Sequence, residues 1–228
     1  MFHEPTDMCA TDRIMLYALV RGLRPERALE IGVRWGGSAR IISNAMEDNG
    51  AGQIVGLDPD NTVFRPGAAE LHGRYRFCVG YSPQDVPRAV AMLDGPLDFA
   101  FIDALHTHDA SYADFKAVIP FMAPGAHILL HDTYHQGIDA AVREVIAETP
   151  GCVDCGFLTR SPEIKLPVLY QGLRLVRFGD PDIDTKKLIQ EACLRNGSKP
   201  PTLHPYYNNW DDWANGEGLG VKGPPPEE

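Results

Sequence analysis

The stretch from Arg27 to Ser38 constrains the fold of this chain more than any other. An apolar run from Ala28 to Val33 leads into a turn, Trp35-Gly36-Gly37, and the following residues 39–46 have the pattern of a helix. A strand, a glycine turn and a helix bring backbone N–H groups and a helix N-terminus against a bound nucleotide-like ligand. Many α/β domains use such a turn only for close packing, so its meaning depends on the residues downstream.

Short apolar runs and amphipathic segments alternate along the rest of the chain. Further strands are predicted at residues 52–58, 75–80, 97–103 and 126–132. Helices are predicted near residues 16–23 with Gly22 as cap, at 60–71 with an interruption at Pro66-Gly67, and at 82–93, 108–119 and 138–146. This alternation predicts βαβ units, and so an α/β fold with a Rossmann-like, doubly wound, mainly parallel seven-stranded sheet. Two later runs, 155–160 and 172–178, are expected to pair antiparallel at the edge of that sheet.

The chain is predicted to divide into a main domain, residues 1–180, and a C-terminal extension, residues 181–228. A helix is expected at 184–196, followed by an aromatic, Pro- and Gly-rich stretch containing Trp210 and Trp213. That stretch has three interpretations: a lid over a substrate, an arm of a homodimer, or a wrap over the core.

Composition excludes several kinds of partner. A formal net charge of -10 over 228 residues argues against binding of a nucleic-acid backbone, which needs clustered Lys and Arg. No apolar run approaches the roughly 20 residues that a membrane span requires. The N-terminus lacks the pattern of a signal peptide, and five scattered cysteines suit reduced thiols, so a cytoplasmic protein is expected.

Four acids lie near the carboxyl ends of predicted strands: Glu30, Asp58, Asp103 and Asp132. Ligands of open parallel sheets bind at that edge, although an Asp there can also be a helix N-cap. A carboxylate at Asp58 can take both ribose hydroxyls of an adenosine, as in NAD or S-adenosylmethionine. The dinucleotide fingerprint needs a second glycine two residues after the first, where this chain has Arg34. S-adenosylmethionine has no phosphate, so Arg34 favours it, and Glu30 is expected near its α-amino group.

The motif Glu30-x-Gly32-x-x-x-Gly36-x-Ser38 resembles the first motif of class I S-adenosylmethionine-dependent methyltransferases. Residues 101–109 and 128–133 resemble the fourth- and fifth-strand motifs of small O-methyltransferases, namely the catechol-type, macrocin-type and cephalosporin-hydroxylase-like groups. The similarity covers about residues 26–178. It implies O-methylation of a small-molecule hydroxyl, for example on a sugar or a natural product. The expected cofactor-binding residues are Glu30, Gly32, Gly36, Ser38, Asp58, Ser82 and Asp103.

The resemblance also implies a divalent cation. Members of the group hold one with an acid after the fourth strand and with an acid plus Asn or Asp after the fifth. Asp103 and Asp132 match the two acids, whereas Thr133 stands in the place of the third ligand. Oxygen ligands of this kind suit Mg²⁺. His106 occupies the position of the catalytic lysine of catechol-type enzymes, and it is predicted to be the general base; the alternative is a solvent-facing residue at a helix start.

Three more histidines, His108, His131 and His135, are expected near the same rim, which raises the alternative of a Zn or Fe site. Adjacent strand residues point to opposite faces, so His131 and Asp132 are predicted to diverge, and Mg²⁺ is preferred. Ser82 has a second interpretation as the N-cap of the helix that follows it.

Two other functions remain open from the sequence. One is an NAD-dependent oxidoreductase, which Arg34 disfavours. The other is a non-catalytic protein that retains the fold, because Thr133 and His106 both depart from the expected residues. For the enzyme, the expected partners are S-adenosylmethionine and a small-molecule acceptor, with neither nucleic acid nor membrane, and a homodimer is left open.

Overall fold

A seven-stranded sheet forms the centre of the part of the chain that the computed structural model describes, residues 8–160, 163–165 and 168–179. Its strands are β1 (Arg27–Ile31), β2 (Gln53–Asp58), β3 (Tyr75–Val79), β4 (Leu97–Ile102), β5 (Met122–Leu130), β6 (Cys152–Phe157) and β9 (Arg174–Phe178). A separate two-stranded hairpin contains β7 (Glu163–Lys165) and β8 (Val168–Tyr170). The predicted helix at 184–196 and the extension 181–228 lie outside the described residues, so the domain division stays a prediction.

The strand order is β3-β2-β1-β4-β5-β9-β6. Strands β1 to β5 are all parallel to one another, whereas β9 is antiparallel to both β5 and β6. The order reverses between β1 and β4, which makes the carboxyl ends of these two strands the topological switch point of the sheet. The predicted Rossmann-like fold is therefore confirmed, with the antiparallel strand one place in from the edge.

Helices cover both faces of the sheet. They are α1 (Ala10–Leu23), α2 (Gly37–Asn49), α3 (Ala68–Leu71), α4 (Val86–Val90), α5 (His108–Val118) and α6 (Gln136–Glu148), with a 3₁₀ turn at Ile119–Phe121. Leu16 of α1 and Ile41 of α2 pack with Phe99 on one face. Phe115 of α5 and Val142 of α6 belong to the apolar cluster of the other face. A sheet covered on both sides explains why its strands are nearly continuous apolar runs.

Three local predictions differ from the structure. Helix α1 continues through Gly22, and Arg24 takes the left-handed cap conformation with φ of 52°. The helix expected at 60–71 is reduced to α3, because Pro66 and a turn in which Thr62 N–H bonds to Asp60 interrupt it. Helix α4 begins at Val86 with Asp85 as its N-cap, so Ser82 does not cap it.

Within the described residues, no helix is long and apolar enough to cross a membrane. The cysteines of the same ranges, including Cys152 and Cys155 on β6, are free thiols, in agreement with the sequence interpretation.

Candidate active site at the carboxyl edge of the sheet

The turn after β1 requires glycine for reasons of space. Gly32 has a φ of +85°, and a Cβ there would lie 2.0 Å from the backbone oxygen of Asp103 at the end of β4. Gly36 has a φ of +78°, and its Cβ would lie 2.5 Å from the ring of Phe64. Both glycines therefore let the turn pack closely against neighbouring segments.

Two cavities flank this turn. The first, of about 330 Å³, is lined among others by Trp35, Ser38, Asp103, His106, His131, Asp132 and Tyr170. The second, of about 480 Å³, is lined among others by Asp58, Tyr81, Ser82, Leu105 and Asp114. Both share the wall formed by Gly32, Val33, Arg34, Asp103 and Ala104. Each has the size of a small-molecule site, and together they occupy the switch point of the sheet.

Of the predicted cofactor residues, Gly32, Ser38, Asp58, Ser82 and Asp103 line these cavities, whereas Glu30 and Gly36 line neither.

Asp58 joins the wall of the second cavity to the glycine turn. Its Oδ2 accepts hydrogen bonds from the backbone N–H groups of Val33, at 2.8 Å, and Arg34, at 3.0 Å. Its Oδ1 accepts a third from the N–H of Asp60, at 2.9 Å. A carboxylate offers about four acceptor positions. Asp58 therefore fixes the turn and keeps an acceptor position for a ligand hydroxyl.

The deeper wall of the second cavity is polar. Ser82 Oγ is buried and makes no well-directed hydrogen bond within the described residues. Burial raises the pKa of Asp114 above its ordinary value, and the nearby Ser82 hydroxyl partly offsets this rise. A buried hydroxyl without a directed bond is costly unless a ligand or water satisfies it. Both groups are placed to contact a polar ligand in this cavity.

Glu30 lies behind the first cavity and is fully buried. It accepts hydrogen bonds from the hydroxyls of Ser38 and Tyr75, the latter at 3.0 Å. Burial, only partly offset by these two bonds, raises the pKa of Glu30 to about 8. Glu30 is thus a neutral acid at neutral pH and supports Ser38, which itself faces the cavity.

Asp103, His106 and Asp132 meet in the first cavity. The His106 Nε2 atom lies 2.8 Å from Asp132 Oδ2 and 3.8 Å from Asp103 Oδ1. Within the described residues, the Nε2 atom makes no well-directed hydrogen bond to either oxygen. The carboxylates of Asp103 and Asp132 raise the pKa of His106 to about 9, against the opposing effect of burial. The predicted base and the two predicted metal ligands are therefore brought together.

The prediction that His131 and Asp132 diverge was wrong. Strand β5 ends at Leu130, and Asp132 has a left-handed φ of 53°, so the alternation of a strand no longer applies. His131 Nδ1 lies 3.2 Å from Asp103 Oδ1 and 3.5 Å from Asp132 Oδ2. Burial alone would lower the pKa of His131, but the charge of Asp103 and bonds to Asp103 and Asp12 raise it well above its ordinary value.

The donor atoms of Asp103, His131 and Asp132 all lie within 4.8 Å of one another. The two carboxylates thus fit the predicted divalent cation. His131 in its doubly protonated form offers no lone pair, so as a third ligand it would first have to release its Nδ1 proton. Thr133 is fully buried and its hydroxyl donates to the Gly172 carbonyl at 3.0 Å, so it does not supply the third ligand.

The other two histidines that were expected near the rim, His108 and His135, lie apart from the cluster or at its margin. His108 is paired with Glu144 at 3.0 Å on the surface between α5 and α6. His135 caps α6, with its Nδ1 accepting from the Gly137 N–H, and its ring lies 6.4 Å from that of His106.

Sequence reasoning missed residues that reach the site from distant parts of the chain. Asp12 of α1 lies 3.1 Å from His131 Nε2. The Gln171 backbone N–H donates to Asp132 Oδ1, and its side chain accepts from the Cys9 N–H at 2.9 Å. No motif or spacing connects these residues. The one available signal for Asp12 was its place among the apolar residues of an amphipathic helix.

The sequence of residues 29–133 matches the model of a family described as a methyltransferase domain. A comparison with curated protein sequences found no match. The family match therefore covers the glycine turn, β2 to β5 and the cluster of Asp103, His106 and Asp132. A match to methyltransferases argues against the alternative of an NAD-dependent oxidoreductase.

Solved structures with the same fold include several methyltransferases. An O-methyltransferase from Bacillus cereus in complex with SAH is 19% identical, with a TM-score of 0.59 over 77% of this chain and 83% of that one. The O-methyltransferase TomG from Streptomyces achromogenes, involved in tomaymycin synthesis and in complex with SAM, is 19% identical, with a TM-score of 0.56 over 76% and 82%. The SAH-bound methyltransferase PaMTH1 from Podospora anserina is 18% identical, with a TM-score of 0.55 over 75% and 80%.

At these identities the likeness concerns the fold. The resemblance that the sequence motifs indicated is confirmed, because the family match and the sheet topology agree with it. The family match over residues 29–133 and the sheet topology are both those of a class I S-adenosylmethionine-dependent methyltransferase domain.

Proposed function

We propose that this protein transfers the methyl group of S-adenosylmethionine to a hydroxyl oxygen of a small molecule. The observation that carries the proposal is the convergence of Asp103, His106 and Asp132 in a cavity that shares a wall with a second cavity. The cluster of Asp103, His106 and Asp132 can remove the proton of an acceptor hydroxyl in the first cavity. A cofactor bound in the second cavity would lie beside this hydroxyl, because the two cavities share a wall. Positioning of donor and acceptor supplies much of the rate enhancement in a displacement of this type.

The proposed cofactor residues line the second cavity and the shared wall, except for Ser38, which lines the first cavity. Asp58 would accept a hydrogen bond from a ribose hydroxyl of the cofactor. The buried hydroxyl of Ser82 would form a hydrogen bond with the adenine ring. Gly32 allows the cofactor to approach the backbone, and Ser38 would hold the amino-acid end. When bound, S-adenosylmethionine supplies an electrophilic methyl group on a sulfonium. Glu30 and Gly36 would act indirectly, Glu30 through Ser38 and Gly36 through the shape of the turn.

Asp103 and Asp132 would hold a divalent cation, proposed to be Mg²⁺ because the two proposed ligands are carboxylate oxygens. Such an ion would balance the charge of both carboxylates and acidify an acceptor hydroxyl. With a pKa of about 9, His106 keeps its proton at neutral pH unless that charge is balanced in another way. His106 would then take the proton of the acceptor, since its Nε2 faces both carboxylates from within the first cavity.

Binding of S-adenosylhomocysteine, measured by calorimetry, tests the cofactor assignment. The Asp58→Ala variant is expected to lose at least about tenfold in affinity while its circular dichroism stays that of the wild type. Asp60→Ala is the matched control, because Asp60 is an exposed acid two residues away whose carboxylate, within the described residues, accepts from the N–H and the hydroxyl of Thr62 in its own turn. Equal affinities for the wild type and Asp58→Ala would contradict the ribose assignment.

Turnover tests the chemistry. The protein is incubated with methyl-labelled S-adenosylmethionine and a panel of catechols, phenols and glycosides, and labelled product is measured. His106→Ala is expected to lower kcat by about 10²- to 10⁴-fold with unchanged cofactor affinity, and His108→Ala is the control. Turnover that is indifferent to EDTA and to added Mg²⁺ would reject the cation. Absence of labelled product with every acceptor would count against O-methylation and favour the non-catalytic alternative.

The proposed cellular setting is cytoplasmic, with neither a nucleic-acid nor a membrane partner. The net charge of -10 supports the absence of a nucleic-acid partner, because a phosphate backbone would be repelled. A homodimer remains a prediction from the aromatic C-terminal segment, and sedimentation of the full chain and of a chain ending at residue 180 would check it.

A further inference from the structure

Asp12 is a fully buried carboxylate on α1, a helix that precedes the segment matched by the family model. Its Oδ2 accepts a hydrogen bond from His131 Nε2 at 3.1 Å and another from the Gly172 N–H at 3.0 Å. An unpaired carboxylate would be very costly at this depth, so its position depends on these partners. Asp12 does not line the first cavity, and any effect on a ligand there must pass through another residue.

His131 is that residue. One ring nitrogen bonds to Asp12, and the other lies 3.2 Å from Asp103 Oδ1. A ring held by a carboxylate on each side is fixed in rotation and in the identity of its two nitrogens. Histidines that organise a site commonly gain such orientation from a carboxylate behind them. The row Asp12, His131, Asp103 therefore runs from the buried side of α1 to the wall shared by both cavities.

We propose that Asp12 is a positioning residue of the methyl-transfer site, which holds the His131 ring so that its Nδ1 fixes the Asp103 carboxylate beside His106. The catalytic consequence rests on the proposed function, whereas the Asp12–His131 contact can be tested without turnover. Asp12→Asn keeps the shape of the side chain and one acceptor oxygen but loses the negative charge. Asp12→Ala loses the acceptor oxygens as well as the charge. We therefore expect the site to be disturbed more by Asp12→Ala than by Asp12→Asn.

Asp98→Asn is the control. The Asp98 carboxylate also accepts two backbone bonds, from Glu26 N–H at 3.2 Å and Arg27 N–H at 2.8 Å. These residues lie at the amino ends of β1 and β4, away from both cavities. Asp98→Asn therefore shows how much stability is lost when a carboxylate that accepts backbone bonds is neutralised away from the site. An effect seen in the Asp12 variants and not in Asp98→Asn is specific to the site.

The first readout is the ¹⁵N NMR spectrum of the His131 ring in the folded protein, with no substrate present. We expect the Nε2 signal and its N–H protection from solvent exchange to change in Asp12→Asn and Asp12→Ala and to stay constant in Asp98→Asn. Unchanged His131 signals in Asp12→Ala would overturn the proposal. This readout holds even if the wild type methylates none of the acceptors, an outcome that would refute only the proposed function.

The second readout is kinetic, with whichever acceptor of the panel the wild type methylates. We expect kcat to fall by about 10- to 100-fold in Asp12→Asn, with the affinity for S-adenosylhomocysteine and the KM of the acceptor unchanged. A purely structural role would instead lower the melting temperature and leave kcat per folded molecule unchanged, which would overturn the proposal.

A double-mutant cycle covers the case in which Asp12→Ala does not fold. In the His131→Gln background, Asp12→Asn should have little further effect on kcat, because the residue through which Asp12 acts is already lost. The proposal would be overturned if Asp12→Asn lowered kcat by the same factor in the His131→Gln background as in the wild type.

Discussion

Replacing Glu30 by Gln should remove a pH dependence of stability that this carboxyl imposes on the fold. Its pKa is about 8 in the folded protein against an ordinary 4.5, because burial disfavours the charged form. The unfolded chain therefore loses this proton near pH 4.5, whereas the folded protein keeps it until near pH 8. Between these limits the folded state binds more protons, and its stability falls as the pH rises.

The magnitude follows from the same two values. A difference of about 3.5 in pKa, at about 1.36 kcal/mol for each unit, corresponds to about 5 kcal/mol over the whole window. Between pH 5.5 and 7.5 the wild type should lose about 2.5 kcal/mol from this group alone. This is a sizeable part of the roughly 5–15 kcal/mol that stabilises a typical domain.

Glutamine reproduces the protonated acid, since it offers one acceptor and one donor to the hydroxyls of Ser38 and Tyr75. Glu30→Gln should thus fold normally and lack the descending slope. The assay is urea denaturation of both proteins at several pH values between 5.5 and 7.5. The difference between the two free energies of unfolding cancels the contributions of other groups. Parallel pH profiles for the two proteins would refute the reasoning about Glu30.

Three further predictions concern stability and are checked by denaturant unfolding. Gly36→Ala should destabilise by at least about 1–2 kcal/mol, because a Cβ would be forced into a left-handed backbone and against Phe64. Its failure to destabilise would mean that the turn can shift. Arg174→Ala should cost about 1–2 kcal/mol, since it removes a buried guanidinium that pairs with Asp139 and Asp154, while both carboxylates stay accessible to water; an unchanged free energy of unfolding would show that these ion pairs do not stabilise the fold. Phe99→Ala should cost about 3–5 kcal/mol through the cavity left in the α1 and α2 layer, and a much smaller loss would indicate that the layer collapses around it.

The fold was predictable because its determinants are local. The apolar runs that become β1, β2, β4 and β5 are short, and each amphipathic segment lies between two of them, so the βαβ pattern can be read directly. The errors concern helix ends. Gly22 was predicted to cap α1, but the helix continues to Leu23 because its apolar face extends that far. Arg24 therefore adopts the left-handed conformation of the cap.

From the sequence, only those site residues could be predicted whose position is determined by the end of a strand. Asp103 and Asp132 follow neighbouring parallel strands, so their meeting was expected from topology. The direction of His131 depends on where β5 stops and on the backbone angle of Asp132, and neither is encoded in the alternation of side chains. Asp12 pairs with a residue far along the chain, and such a contact exists only once the sheet is assembled.

The bonds of residues 9 and 12 to residues 171 and 172 have a consequence for biosynthesis. These partners are 160 or more positions apart, so a ribosome has released α1 and most of the sheet before the second half of the contact emerges. The earlier strands can associate in that interval, while the cavity around Asp103, His131 and Asp132 is completed only later. A chain that ends before residue 171 would lack the N–H that binds Asp132, and a chain that begins after residue 12 would lack the carboxylate that binds His131.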